Sequence, residues 1–286
     1  MGSWSNSANR MANLPWAQLR LPPFPQVATR VLQLVNRENL QLHQLAELIS
    51  SDPAFASEVL TVANSPLYAL RYHANSIMQA VAILGGNALQ GMCITVGVRA
   101  YLGKSMNQPA MRVLWRHNLA CAMVAQRIAP VCDFDKDTAY TAGILHDIGR
   151  AALALVMPRE YPALLSTHKG SNLTLLEGER TLFGVDHCEA GLQMIQDWKL
   201  PLEFEAVVSA HHEPIVHGAQ WNLAQLIKTS CAIVDSIGFP SFAGCESAPY
   251  DELRAELPET AAEKLESKAG ALFTSIADAI THIESV

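Results

Sequence analysis

Seven side chains in the second half of the chain share one kind of chemistry. His117 lies in "LWRHNLACAMVAQRIA" and the pair His146-Asp147 in "AGILHDIGRAAL". His187 lies in "FGVDHCEAGLQMIQDWKLP", His211-His212 close "FEAVVSAHH", and Asp235 lies in "LIKTSCAIVDSIG". Imidazole and carboxylate together suit hard-to-borderline cations: iron, manganese, zinc, or magnesium where carboxylates dominate. One or two such divalent metals can polarise a phosphoryl group and generate hydroxide near neutral pH. None of the gaps is the i, i+4 pair that sets two histidines on one helical face, as in H-E-x-x-H. Any single histidine here reads first as a core or surface residue. The weight lies in the joint order of His, His-Asp, His, His-His and Asp, each in an apolar helical stretch.

The elements that must carry these residues are helical nearly throughout. "VATRVLQLVNRENL" places Val27, Val31, Leu34 and Val35 at helical spacing, and "LHQLAELISSDP" does the same with Leu42, Leu45, Leu48 and Ile49. Asp52-Pro53 reads as an N-cap followed by proline in the first helical position. "SIMQAVAILGG" starts another capped helix, ending at Gly85-Gly86. Those glycines read as a helix stop rather than a phosphate loop, because no strand precedes them. The expected organisation is a polar tail over residues 1–13, a helical bundle over 14–105, a polar connection at 103–111 and a second helical set over 112–240. An acidic linker and a last amphipathic helix fill 241–286. The second set begins where histidines concentrate: all of the ten except His43 and His73 lie beyond it. Five histidines (His43, His73, His168, His217 and His282) are expected on the surface. Trp115, Trp198 and Trp221 are expected as packing anchors.

Composition narrows the partners. The chain has 286 residues, half of them hydrophobic, which is enough for a large core. The formal net charge is −7 and no run of Lys or Arg occurs, which argues against nucleic acid and against anionic membranes. The six cysteines form no C-x-x-C pair and read as buried free thiols in a reducing compartment. With no signal peptide or apolar run of about 18 residues, a cytoplasmic location is expected.

The residues also carry a resemblance. "LHDIG" with an upstream His and a downstream Asp resembles the HD superfamily of metal-dependent phosphohydrolases. The full order His117, His146, Asp147, His187, His211, His212, Asp235 is similar to that of the HD-GYP cyclic-di-GMP phosphodiesterases. That resemblance implies that Asp147 bridges two metals. His117, His146 and Asp235 would serve one of them, and His187, His211 and His212 the other. The N-terminal half resembles a different branch. "LPPFPQVATRVLQLV", "LAELISSDPAFASEVLTVANSPLY" and "SIMQAVAILGGNAL" are similar to the HDOD domain, the HD-related output domain of bacterial signalling proteins. This resemblance covers about residues 14–240. It implies an all-α fold, with an N-terminal helical bundle packed on an HD-like helical subdomain, and a regulatory role without turnover. After His211-His212 the text "EPIVHGAQWNLAQL" lacks the G-Y-P stretch of the enzymes, and Arg150 stands where they carry Lys. The span from Asp147 to His187 is also longer than in those enzymes.

Two readings follow. In the first, the chain is a signalling module that binds a protein partner or a small nucleotide-like ligand. In the second, it is a metal-dependent phosphohydrolase in which Asp147 and Arg150 act on a nucleotide or cyclic dinucleotide. Oligomer formation through the last helix is open, as is the alternative that this helix covers the bundle.

Overall fold

The computed structural model describes residues 24–35, 41–214 and 221–285. The polar tail, the rest of the N-terminal stretch through Pro23, and His217 lie outside the described residues. Within them the chain is helical and contains no strand; a single isolated bridge joins Gly170 and Cys245.

The first layer contains α1 (Gln26–Val35), α2 (Leu42–Ser50), α3 (Pro53–Ala63) and the long α4 (Ile77–Leu102). The caps follow the sequence. The Asp52 side chain accepts from Phe55 N with Pro53 behind it, and Ser76 accepts from Gln79 N. At Gly85 the backbone leaves the helix (φ 83°, ψ 174°) and resumes at once, so the expected stop is a kink between two helical segments. Only glycine adopts that φ without strain. The stretch Ile77–Asn107 is long and apolar enough to cross a membrane by length and composition, an apolar length the sequence reading did not credit. Its best window is 61% buried, because α1, α2 and α3 pack along it.

After a 3₁₀ turn at Gly103–Asn107 come α5 (Pro109–Ile128), α6 (Lys136–Leu145), α7 (Ile148–Val156), α8 (Glu160–Thr167), α9 (Asn172–Phe183), α10 (His187–Asp197), α11 (Leu202–Ala210) and α12 (Leu223–Ile237). α5 and α6 pack together most extensively, and α6 also lies on α4. One hydrophobic cluster runs from Phe24 to Ile283 without a break at residues 103–111. Trp198 joins the layers: its ring stacks on Phe24 at 4.3 Å and meets Tyr101 edge-on at 5.2 Å.

The C-terminal segment is packed. Short helices α13 (Tyr250–Ala255) and α14 (Glu259–Ala262) bury Tyr250 and Ala261, and Leu257 and Leu265 follow them inward. The last helix, α15 (Ala269–Glu284), buries Leu272, Ile276, Ala279, Ile280 and Ile283 against α5 and α12. Its apolar stripe covers the bundle of its own chain.

Candidate functional site

The HD pair sits where two helices meet. His146 is the C-cap just after α6 and Asp147 stands at the N-terminus of α7, with its carboxylate left free of capping. Two glycines let the partner helices come close enough. A Cβ on Gly143 would stand 2.4 Å from Ala122 Cα, so α6 crosses α5 with backbones nearly touching, which brings His146 beside His117. A Cβ on Gly149 would stand 1.8 Å from the His187 carbonyl oxygen and 2.6 Å from Gly191 N. The glycine of "HDIG" therefore lets the first turn of α7 lie against that of α10, and His187 reaches Asp147 for that reason.

Around Asp147 the polar groups converge. His187 Nε2 lies 3.3 Å and His211 Nε2 3.4 Å from Asp147 Oδ1, and His146 Nε2 lies 3.5 Å from Oδ2. His187 Nε2 and His212 Nε2 are 3.0 Å apart. Each of the four most buried imidazoles is held from behind through Nδ1. That nitrogen donates to Phe239 O in His117 (2.9 Å), to Gly143 O in His146 (2.7 Å), to Glu179 Oε2 in His187 (2.7 Å) and to Val207 and Val208 O in His211 (both 3.1 Å). In its neutral form, an imidazole whose Nδ1–H is spent on a carbonyl or carboxylate presents Nε2 as a lone pair, which is the arrangement metal-binding histidines use.

Arg150 enters from the same turn of α7. It is fully buried, and its Nε lies 3.0 Å from Asp147 Oδ1 while a terminal nitrogen donates to Asn172 Oδ1 at 2.7 Å. Asp235 is tied elsewhere. Its Oδ1 accepts from Ser241 N at 2.7 Å and stands 3.3 Å from His117 Nδ1, and the Cys245 thiol faces its Oδ2 at 3.6 Å. Thus all seven expected positions lie in one neighbourhood, but Asp235 addresses the outer nitrogen of His117 and Asp147 already carries a guanidinium.

Three residues outside the expected set join the site. Glu179 is fully buried and accepts from Tyr161 OH, His187 N and His187 Nδ1. Cys231 Sγ lies 3.3 Å from His146 Nε2. Cys188 groups with His187, His211 and His212. The sequence carried a signal for Glu179, a carboxylate inside "NLTLLEGERTLF" with apolar neighbours; for the cysteines it carried none that separates a ligand from a core thiol.

Charge is balanced by neighbours. Burial pushes the Asp147 carboxyl up, but Arg150 first and His146 next more than offset this and hold it well below the usual carboxylate range. Burial pulls His187 down, and the Glu179 carboxylate overrides this and holds it well above the ordinary histidine value. Burial lowers His146 to about 3, and with the neighbouring imidazoles it also lowers His212 well below its ordinary value. Two buried atoms, Asp147 Oδ1 and His211 Nε2, have no aligned hydrogen-bond partner although they face each other. Two lone pairs at that separation repel unless a proton, a water or a cation lies between them. The donor set and these orphaned atoms fit a divalent cation. Such a cation would be held by imidazole nitrogens with Asp147, and it would supply Lewis acidity toward an oxygen ligand.

The HDOD domain family matches residues 21–214. An HDOD domain protein with unknown function from Geobacter sulfurreducens has a similar structure, with a TM-score of 0.66 at 20% identity over 98% of this chain and 95% of that one. A candidate phosphohydrolase from Shewanella amazonensis SB2B superposes with a TM-score of 0.68 at 21% identity, covering 97% of each chain. A candidate signal transduction protein from Marinobacter aquaeolei VT8 gives 0.68 at 21% identity, over 98% of this chain and 64% of that one. In sequence, an uncharacterised protein from Treponema pallidum (strain Nichols) is 23% identical over 198 residues; the match spans 68% of this chain but only 38% of that protein. The family match takes in the N-terminal layer, the HD pair and the His211-His212 pair together, and on that ground the chain belongs to the HDOD domain family.

Proposed function

We propose that this chain is a signal-relay module that acts by binding a protein partner or a small nucleotide-like ligand, with a cation-holding polar core and without turnover. The observation that carries this reading is Arg150. Its fully buried guanidinium lies 3.0 Å from Asp147 Oδ1, the oxygen that a two-metal reading needs as half of its bridge. A fixed positive charge there repels a second cation strongly, because the surroundings screen poorly. Two-metal hydrolysis needs both ions and an open coordination position for the reacting water and substrate. Here His117, His146, Asp147, His187 and His211 are buried to within 1% of fully enclosed. Family membership and the named role of the Marinobacter relative support the signalling context.

The competing reading is a metal-dependent phosphohydrolase that uses the same side chains. The inward-facing Nε2 atoms and the name of the Shewanella relative favour it. The two separate in one experiment. Protein purified without a metal-binding tag is analysed for bound metal, then assayed on cyclic-di-GMP and on bis(p-nitrophenyl) phosphate with added manganese or iron. The expected result is hydrolysis no faster than that of Asp147→Ala. Turnover that Asp147→Ala abolishes overturns the non-catalytic reading.

A further inference from the structure

Cys231 stands in the middle of one half of the site without belonging to the expected ligand set. It lies on α12 one helical turn before Asp235, so the two side chains share a face of that helix. The ligand atoms of Cys231, His117 and His146 lie within 4.8 Å of one another, and all three residues are buried. Zinc bonds of about 2.0–2.1 Å to nitrogen and about 2.3 Å to sulfur put tetrahedral ligands roughly 3.3–3.8 Å apart. The 3.3 Å from Cys231 Sγ to His146 Nε2 lies within about 0.3 Å of the roughly 3.5 Å that a nitrogen–sulfur pair needs.

Asp235 stands outside this group. It faces His117 Nδ1, the nitrogen that also meets Phe239 O, while its own oxygens are engaged by Ser241 N and the Cys245 thiol. Arg150 flanks Asp147 Oδ1, whereas Asp147 Oδ2 is turned toward His146. The carboxylate oxygen clear of the guanidinium therefore faces His146 Nε2, the same nitrogen that meets Cys231 Sγ.

We propose that Cys231 is a thiolate ligand, with His117, His146 and Asp147 Oδ2, of a structural four-coordinate zinc-type cation, and that Asp235 is a positioning residue behind His117. This rests on the cation-holding part of the reading above and not on the absence of turnover. Thiolate with imidazole selects zinc over magnesium or manganese, and closed sites of mixed Cys and His ligands are structural rather than catalytic. Binding releases the Cys231 proton to solvent and involves no redox change. Cys121 Sγ, 3.4 Å from Cys231 Sγ, supplies an S–H that can donate to the thiolate from outside the coordination shell.

The test uses the full chain loaded with zinc and, separately, with cobalt(II). X-ray absorption of the wild-type zinc form should show a sulfur scatterer at about 2.3 Å, and the cobalt form a thiolate-to-cobalt charge-transfer band in the near ultraviolet. Cys231→Ser should lose both signals while keeping the wild-type circular dichroism. Cys188→Ser and Asp235→Asn should keep both signals, with Asp235→Asn weakening zinc binding by about 10–100-fold, the range for outer-sphere partners. A shell of nitrogen and oxygen only, or a sulfur signal that survives Cys231→Ser and vanishes in Cys188→Ser, overturns the assignment. So does failure to bind either ion. If Cys231→Ser fails to fold, Cys188→Ser still decides: a sulfur signal it retains supports Cys231 and one it loses overturns the assignment, and none of these outcomes bears on the hydrolysis assay.

Discussion

Arg150 and Asp147 are the pair on which the site turns. Both are almost wholly buried, and removing one partner of such a pair strands a charge in a poorly solvating interior. Arg150→Ala, measured by urea unfolding with a chelator present, should cost about 3–5 kcal/mol. Arg150→Lys should recover only part of this, because an ammonium cannot reproduce the guanidinium fork that reaches Asp147 and Asn172 together. The imidazoles give a pH dependence with a definite sign. His146 is held neutral down to about 3, and His211 and His212 are lowered as well. Below about pH 6.5, the unperturbed histidine value, the unfolded chain takes up protons that these folded imidazoles refuse, so stability falls with falling pH. His117 and His187 are raised by Asp235 and Glu179. Their contribution is complete below the unfolded value and is lost only as pH rises through their folded values, so they do not rescue the acid side. The urea midpoint of metal-free protein should therefore drop steadily between pH 6.5 and pH 4; a flat profile over that window would contradict these histidine assignments.

The helices meet at glycines, and that is where the site is most easily broken without touching a ligand. Gly149 gives α7 and α10 their contact, and the obstacle to a Cβ there is backbone, which no rotamer change can move. Gly149→Ala should destabilise the protein by about 3 kcal/mol or more, the upper range for overpacking, and should weaken metal retention because His187 is pushed from Asp147. Gly270, near the start of α15, provides the contrast: nothing lies within 4 Å of its added Cβ. Gly270→Ala should be neutral or stabilise by up to about 1 kcal/mol. Thermal melts of the two variants side by side check both. The capping pattern was legible at this scale. Asp52 and Ser76 cap the helices their sequences announce, since a short polar side chain ahead of an apolar periodic run has few other uses. The behaviour at Gly85 was only half legible: glycine marked an interruption, but whether the chain turns away or resumes depends on what α4 packs against.

Over the whole molecule, the hydrophobic cluster is continuous from the N-terminal layer through the HD-like half to the last helix, with Trp198 bridging Phe24 and Tyr101. Unfolding should follow one cooperative transition, with circular dichroism and tryptophan fluorescence coincident; two separated transitions would show that the halves fold independently. Much of this architecture could be read from residue order alone. Helical periodicity, caps and the run of His, His-Asp, His, His-His and Asp are local patterns, and local patterns survive in one dimension because each depends on neighbours a few residues away. That reach extended to the all-α class and to the residues that gather around Asp147. What only the tertiary structure decided is which atoms face which. Asp235 turned to the outer nitrogen of His117, Arg150 folded back onto Asp147, and Cys231 came to lie against His146 across a long span of chain. Those relations are set by how closely α5, α6, α7, α10 and α12 approach one another, and that distance depends on the packing of the whole core rather than on any local stretch of residues.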